Sequence, residues 1–213
     1  GPLELDDLSV GCTVLAGGGG GDPRVGLLMA LHAISKTGPV PLVQLEDLDP
    51  DGLVLPSGMI GAPTVMVEKI PNGAEGRVIR SALEARLGKL VVAMMCLEMG
   101  GINGVLPVAW AANAGLPIVD GDLMGRAFPE VQMCTPHLHG ISALPCAIAD
   151  ERLQVITYET RDNAWLERLV RNTVSTLGGC ACAGLYPMTA IEAAGPTIRG
   201  TVTTAISVGE AIR

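Results

Sequence analysis

LVVAMMCLEMGGINGVLPVAWAANAGLPIVDGDLMGRAFPE, residues 90–130, places two apolar runs on either side of a helical pattern. Leu90 to Leu97 is continuously apolar up to Glu98, as suits a strand buried on both faces of a parallel sheet. Val105 to Ala114 then reads as a helix, and Pro117 to Val119 as a second, short strand. Strand, helix, strand in succession implies a parallel crossover. The expected class is therefore α/β, a mostly parallel sheet with flanking helices. Open sheets of this kind bind ligands beyond the carboxyl ends of their strands. Two polar segments leave those ends here, Glu98 to Asn103 and Asp120 to Glu130. If the strands are neighbours, Glu98, Asn103, Asp120, Asp122, Arg126 and Glu130 share one edge. Crowded carboxylates repel, which raises a pKa and leaves a usable general base or acid. The competing reading is that Arg126 neutralises Asp122 or Glu130 while the glycines only make turns.

Working toward the N-terminus, five glycines, Gly17 to Gly21, precede Asp22-Pro23. Asp is a favoured helix N-cap and Pro is tolerated at the first helical position, so a helix begins there. Gly18, Gly19, Gly20, Gly21 and Asp22 then lie at the positive end of a helix dipole, where a polar or anionic ligand can sit. Leu5, Leu8, Cys12 and Leu15 predict a helix before the run. Val25, Leu28, Met29 and His32 predict the inner face of one after it, ending near Thr37-Gly38. A phosphate-binding loop follows a strand and ends in Gly-Lys-Ser/Thr, whereas this run joins two helices and completes no G-x-G-x-x-G. The layering is thus Rossmann-like without a nucleotide fingerprint.

Further along, Val40 to Leu45 and Thr64 to Lys69 are expected as strands and Ala74 to Leu87 as an amphipathic helix with Ile79, Leu83 and Leu87 inward. Ala147 and Val155 to Tyr158 suggest more strands. Asp162 caps a helix with Leu166, Leu169, Val170, Thr173, Val174 and Leu177 on one face, and Thr201 onward is a final helix or strand.

A formal charge of −8 with no basic stripe argues against nucleic acid and anionic membrane as partners. The apolar run from Leu90 is too short to span a bilayer, and no basic segment marks a signal peptide at the N-terminus, where Gly1-Pro2 stands in place of Met. Six cysteines without framework spacing read as reduced thiols, and a cytoplasmic location is expected. Cys134-Thr-Pro-His137-Leu-His139 resembles part of a metal site but lacks an evident fourth ligand. Cys180-Ala-Cys182 fits a strand or turn better than redox chemistry. No cofactor is expected, metal content is left open, and no G-x-S-x-G elbow is present.

The ELDDL helix, GGGGGDP, LEMGGING and VDGDLMGRAFPE resemble the S-methyl thiohydantoin desulfurase family (DUF917), with the resemblance running to the Gly-Thr-Val-Thr-Thr-Ala-Ile-Ser segment near the end. The resemblance implies a single α/β domain over 1–213 corresponding to the family's N-terminal domain, with the β-rich C-terminal domain absent. It implies removal of sulfur from an S-methylated thiohydantoin, a small heterocyclic substrate, leaving a hydantoin. In that reaction Asp120 or Asp122 would act as base, with Glu98 a third catalytic candidate. Arg126 would hold a substrate carboxylate, with Glu130 beside it in the substrate site, and Asn103 and the glycine amides would polarise the ring. A homo-oligomer, or a separately encoded C-terminal half, is the expected partner. The rival class is a non-catalytic binding or assembly module associated with hydantoinase-type or oxoprolinase-type enzymes, and a third is a hydantoinase-like lactam hydrolase.

Overall fold

The computed structural model describes residues 1–213. In chain order its elements are α1 (Pro2–Leu15), α2 (Pro23–Thr37), β1 (Leu42–Val43), β2 (Leu53–Gly61), α3 (Pro63–Met66), α4 (Glu75–Leu87), β3 (Val91–Cys96), α5 (Leu106–Ala114), β4 (Ile118–Val119), β5 (Gly121–Asp122), α6 (Thr135–Leu138), β6 (Cys146–Ala149), β7 (Val155–Tyr158), α7 (Asn163–Thr176), β8 (Cys180–Gly184), β9 (Met188–Thr189), α8 (Ala190–Ala193), β10 (Ile198–Arg199) and α9 (Thr201–Ile212). The main sheet runs β1-β4-β3-β2-β8-β6-β7, with β9 alongside the start of β2. From β1 to β2 the neighbours are parallel; from β2 to β7 they are antiparallel.

The β3–α5–β4 crossover forms as its apolar pattern predicts, with Met94 opposite Ile118. Side chains alternate across the sheet and feed two cores. Leu55, Cys96, Ala147 and Cys182 face one core, shared with α1, α2, α4, α5 and α9. Val54, Met95, Ile148 and Ala183 face the other, shared with α7 and α8. The result is an α/β sandwich of three layers, and no helix is long and apolar enough to cross a membrane.

Four local expectations need correction. Thr64 to Lys69 is not a strand: Pro63 opens the short helix α3, as proline at a first helical position does. The strand in this region is β2, whose Pro56 and Gly58 read as turn punctuation. Pro56 falls in the gap between the pairing of β2 with β9 (53–54) and with β8 (57–61), so its missing N–H interrupts neither ladder. Of Val40 to Leu45, only Leu42–Val43 pairs, parallel to β4. On α2 Val25 and Met29 pack partly buried against the core as expected, but the buried face is Pro23, Gly26, Ala30 and Ala33 and Leu28 is 59% exposed, because small residues let α2 approach α5. Leu87 and Leu169 likewise lie at the surface.

The N- and C-terminal helices pack backbone to backbone. A Cβ on Gly11 would lie 1.9 Å from the Ala205 carbonyl oxygen, and one on Gly209 would lie 1.9 Å from that of Asp7. Arg213 closes the pair through both oxygens of Asp7, at 2.9 and 3.0 Å. Gly11→Ala is therefore expected to force α1 and α9 apart and to cost about 3 kcal/mol, read as a lowered urea midpoint. An unchanged midpoint would show that the two helices tolerate separation.

Candidate functional site

Where β3 ends at Cys96 the chain keeps one more bond to the sheet, Leu97 N–H to Ser57 O at 3.0 Å, and then turns away at Glu98. The glycine turn meets this exit. Ile102 N–H donates to Gly20 O at 2.9 Å, and a Cβ on Gly101 would sit 2.2 Å from that same oxygen. Gly101 and Gly20 both have positive φ, so the two turns nest through bare backbone that L side chains would block. Asp22 caps α2 by accepting from Arg24 N–H at 2.8 Å, as its position predicts.

Between these turns, the 124–131 segment and α7 lies a cavity of about 510 Å³, within the range that encloses a small-molecule ligand. Glu98, Asn103, Arg126 and Glu130 all line it, together with Gly18, Gly19 and Gly20. Gly21 and Asp22 do not. The N–H groups of Gly18 and Gly20 donate no hydrogen bond within the protein. Arg126 forms no ion pair; its guanidinium lies 4.9 Å above the Phe128 ring.

Glu98 is only 5% exposed. Its Oε1 accepts from Asn103 Nδ2 at 2.8 Å and its Oε2 from Phe128 N–H at 2.9 Å. Burial pushes its pKa above the ordinary carboxylate value, and the two donors only partly offset that. A carboxylate of raised proton affinity at the wall of a cavity has the properties of a general base. Asn103 is fully engaged: its Oδ1 accepts from Met59 N–H at 2.6 Å, and its Nδ2 also donates to Met59 O at 2.9 Å.

The two aspartates are placed differently. Asp120 is not among the lining residues. Its Oδ1 accepts from Thr203 N–H at 3.0 Å and its Oδ2 from the Thr203 hydroxyl at 2.6 Å. It thereby caps α9, whose own N-cap, Gly200, has no side chain to do so. Asp122 is fully buried beneath the β3 exit. Its Oδ2 accepts from the N–H groups of Met99 (2.6 Å), Gly125 (2.7 Å) and Met124 (3.3 Å). Burial still lifts its pKa to about 6.

The far wall comes from residues that the strand-end rule does not reach. Glu167 and Arg171, one turn apart on α7, pair with each other across the cavity edge. Glu167 Oε2 accepts from Val131 N–H at 3.0 Å, while the buried Tyr186 hydroxyl donates to Val131 O at 3.0 Å. Val131 is thus pinned through both backbone groups. The i, i+4 spacing of Glu167 and Arg171 is visible in the sequence, but so is it on any solvated helix face. His137 packs against the Asn163 amide, Cys134 Sγ donates to Val131 O, and no group of three or more His, Cys, Asp or Glu side chains is gathered to hold a metal ion.

The α/β sandwich thus gathers a buried carboxylate, an arginine without an ion pair and a glycine turn around one cavity at the strand ends, where open sheets of this kind bind ligands. The chain belongs to the S-Me-THD-like family: the model of the family's N-terminal domain matches residues 3–160 and that of its C-terminal domain matches residues 161–213. In three dimensions the second segment supplies α7, β8 and α9 to the same sandwich. A crystal structure of a protein from Chromobacterium violaceum shares the fold, with a TM-score of 0.84 at 24% identity. The likeness covers 99% of this chain and 60% of that one. A search of curated proteins gave no match.

Proposed function

We propose that the protein hydrolyses an S-methyl thiohydantoin to the hydantoin and methanethiol, with Glu98 as general base. The observation that carries this reading is the Glu98 carboxylate, buried, raised in proton affinity and lining the cavity. Family membership supports the substrate class. Water attacks the ring carbon that bears the S-methyl group, and Glu98 takes its proton as the C–O bond forms. The adjacent ring nitrogen takes up the displaced electron pair and then the proton of the new hydroxyl, so that it ends as a ring N–H while the oxygen becomes the carbonyl. As the C–S bond breaks, methanethiolate leaves and takes a proton from Glu98, giving methanethiol, a carbonyl at the ring carbon and the starting carboxylate. Arg126 has no protein anion to answer it and holds a substrate carboxylate or ring oxygen. The unengaged N–H groups of Gly18 and Gly20 stabilise negative charge developing on the ring.

Methanethiol release is measured with a thiol reagent. All six cysteines are free and buried, so the protein's own background is low. No thiol from the wild-type protein would overturn the proposal. Asp120→Asn is expected to keep turnover while losing about 1 kcal/mol of stability through the weakened α9 cap. A native-stability Asp120→Asn protein without turnover would return the base role to Asp120.

A further inference from the structure

Beyond Ser57, β2 has a neighbour on one side only. Its pairing with β3 ends at Ser57 opposite Cys96, while pairing with β8 continues to Gly61. On the side that β3 has left, Met59 still makes two bonds, both to the Asn103 side chain. A primary amide offers the same donor and acceptor as a peptide group, so one side chain here replaces a residue of strand. The third bond of that amide goes to Glu98.

We propose that Asn103 is the positioning residue of this cavity: its amide takes the place of the strand that β2 loses and transmits that register to the Glu98 carboxylate. The amide has one workable orientation. Turned over, its oxygen would face two acceptors, Met59 O and Glu98 Oε1, and its nitrogen would face the Met59 N–H. Asn103 is 3% exposed, and both its N–H groups are engaged, so it acts on Glu98 and not on a ligand. Gly58 is part of the arrangement. A Cβ there would lie 2.9 Å from Asn103 Oδ1, so only glycine lets the amide approach the strand.

The assignment rests on Glu98 as the base, but its test does not need turnover. The protonation of Glu98 is followed by carbon-13 NMR of labelled glutamate carboxyls in the substrate-free protein, with the resonance identified by its loss in Glu98→Gln. Asn103→Asp puts an oxygen where the donor stood, and the Glu98 midpoint is expected to rise by at least about one unit. Gly58→Ala, which touches neither Glu98 nor the cavity charges, displaces the amide and is expected to move the midpoint the same way by a smaller amount. Asp122 beneath the exit, Arg126 and Glu130 on the 124–131 segment, and Glu167 with Arg171 on α7 are unaltered in both variants. In turnover, kcat is expected to fall more than KM changes, with the acid limb of kcat/KM following the NMR midpoint. A Glu98 midpoint unchanged in folded Asn103→Asp or Gly58→Ala overturns the proposal, as does a loss confined to KM. A shifted midpoint in a protein whose wild type releases no thiol upholds the positioning role and sinks only the desulfurase reading.

Discussion

Glu98→Gln is expected to lower kcat/KM for an S-methyl thiohydantoin by about 10²- to 10⁴-fold, the usual contribution of a positioned general base. The side chain keeps its size, and one amide oxygen can still accept from Asn103 or Phe128, so the fold should persist at a cost of about 1 kcal/mol. The pH profile separates this from a trivial loss. Only the ionised carboxylate can take a proton from water, so wild-type kcat/KM should rise with pH through the Glu98 pKa and level off above it. Because burial raises that pKa, the limb lies above the range of an exposed glutamate. In Glu98→Gln the limb should disappear. A variant that retains the limb, or full activity, would remove Glu98 from the chemistry.

The second large effect concerns Asp122 and is one of stability. Three backbone N–H groups converge on its Oδ2, whereas its Oδ1 is buried beside the Thr201 hydroxyl. Removing the acceptor altogether leaves those N–H groups buried and unpaired, so Asp122→Ala should cost about 3 kcal/mol or more. The pH dependence runs opposite to that of a surface carboxylate. The native pKa, about 6, lies above the ordinary 3.8, so the folded state binds more protons than the unfolded state between those values. Stability from this group is complete below about pH 4 and is lost as pH rises through about 6, by about 3 kcal/mol in all. Asp122→Asn keeps the acceptor for the three N–H groups, offers a donor toward Thr201 and never ionises. Its expected stability therefore equals or exceeds wild type at pH 7 to 8, with that pH dependence removed. An Asn variant as unstable as the Ala variant at pH 8 would mean that the three donors need a full negative charge.

The central crossover was legible because strand β3 and helix α5 are each carried by one unbroken pattern, apolar throughout and then helically spaced. Strand β2 was not, since Pro56 and Gly58 have reasons that lie in its neighbours: a gap between two ladders, and room for Asn103. In the cavity, Glu98, Arg126, Glu130 and the glycine turn follow from where parallel strands end. Glu167 and Arg171 arrive from across the sheet, as does the buried Tyr186 that pins Val131 behind the wall, all tens of residues later, and nothing local distinguishes them from a solvated helix or a core aromatic. Asp120 and Asp122 look alike in sequence, two residues apart in a polar loop. One caps a distant helix and the other gathers three amides, a difference decided by backbone that is itself folded by remote contacts.

The position of β8 has a consequence for how the molecule comes apart. Although it belongs to the last quarter of the chain, it lies between β2 and β6 and is hydrogen-bonded to both. Residues 161–213 therefore supply a strand to the middle of a shared sheet, and severing the covalent link near residue 160 would not release either piece without exposing two raw strand edges. Cooperative opening is the expected result: hydrogen exchange of the β8 amides should report only the opening in which the entire assembly of layers gives way.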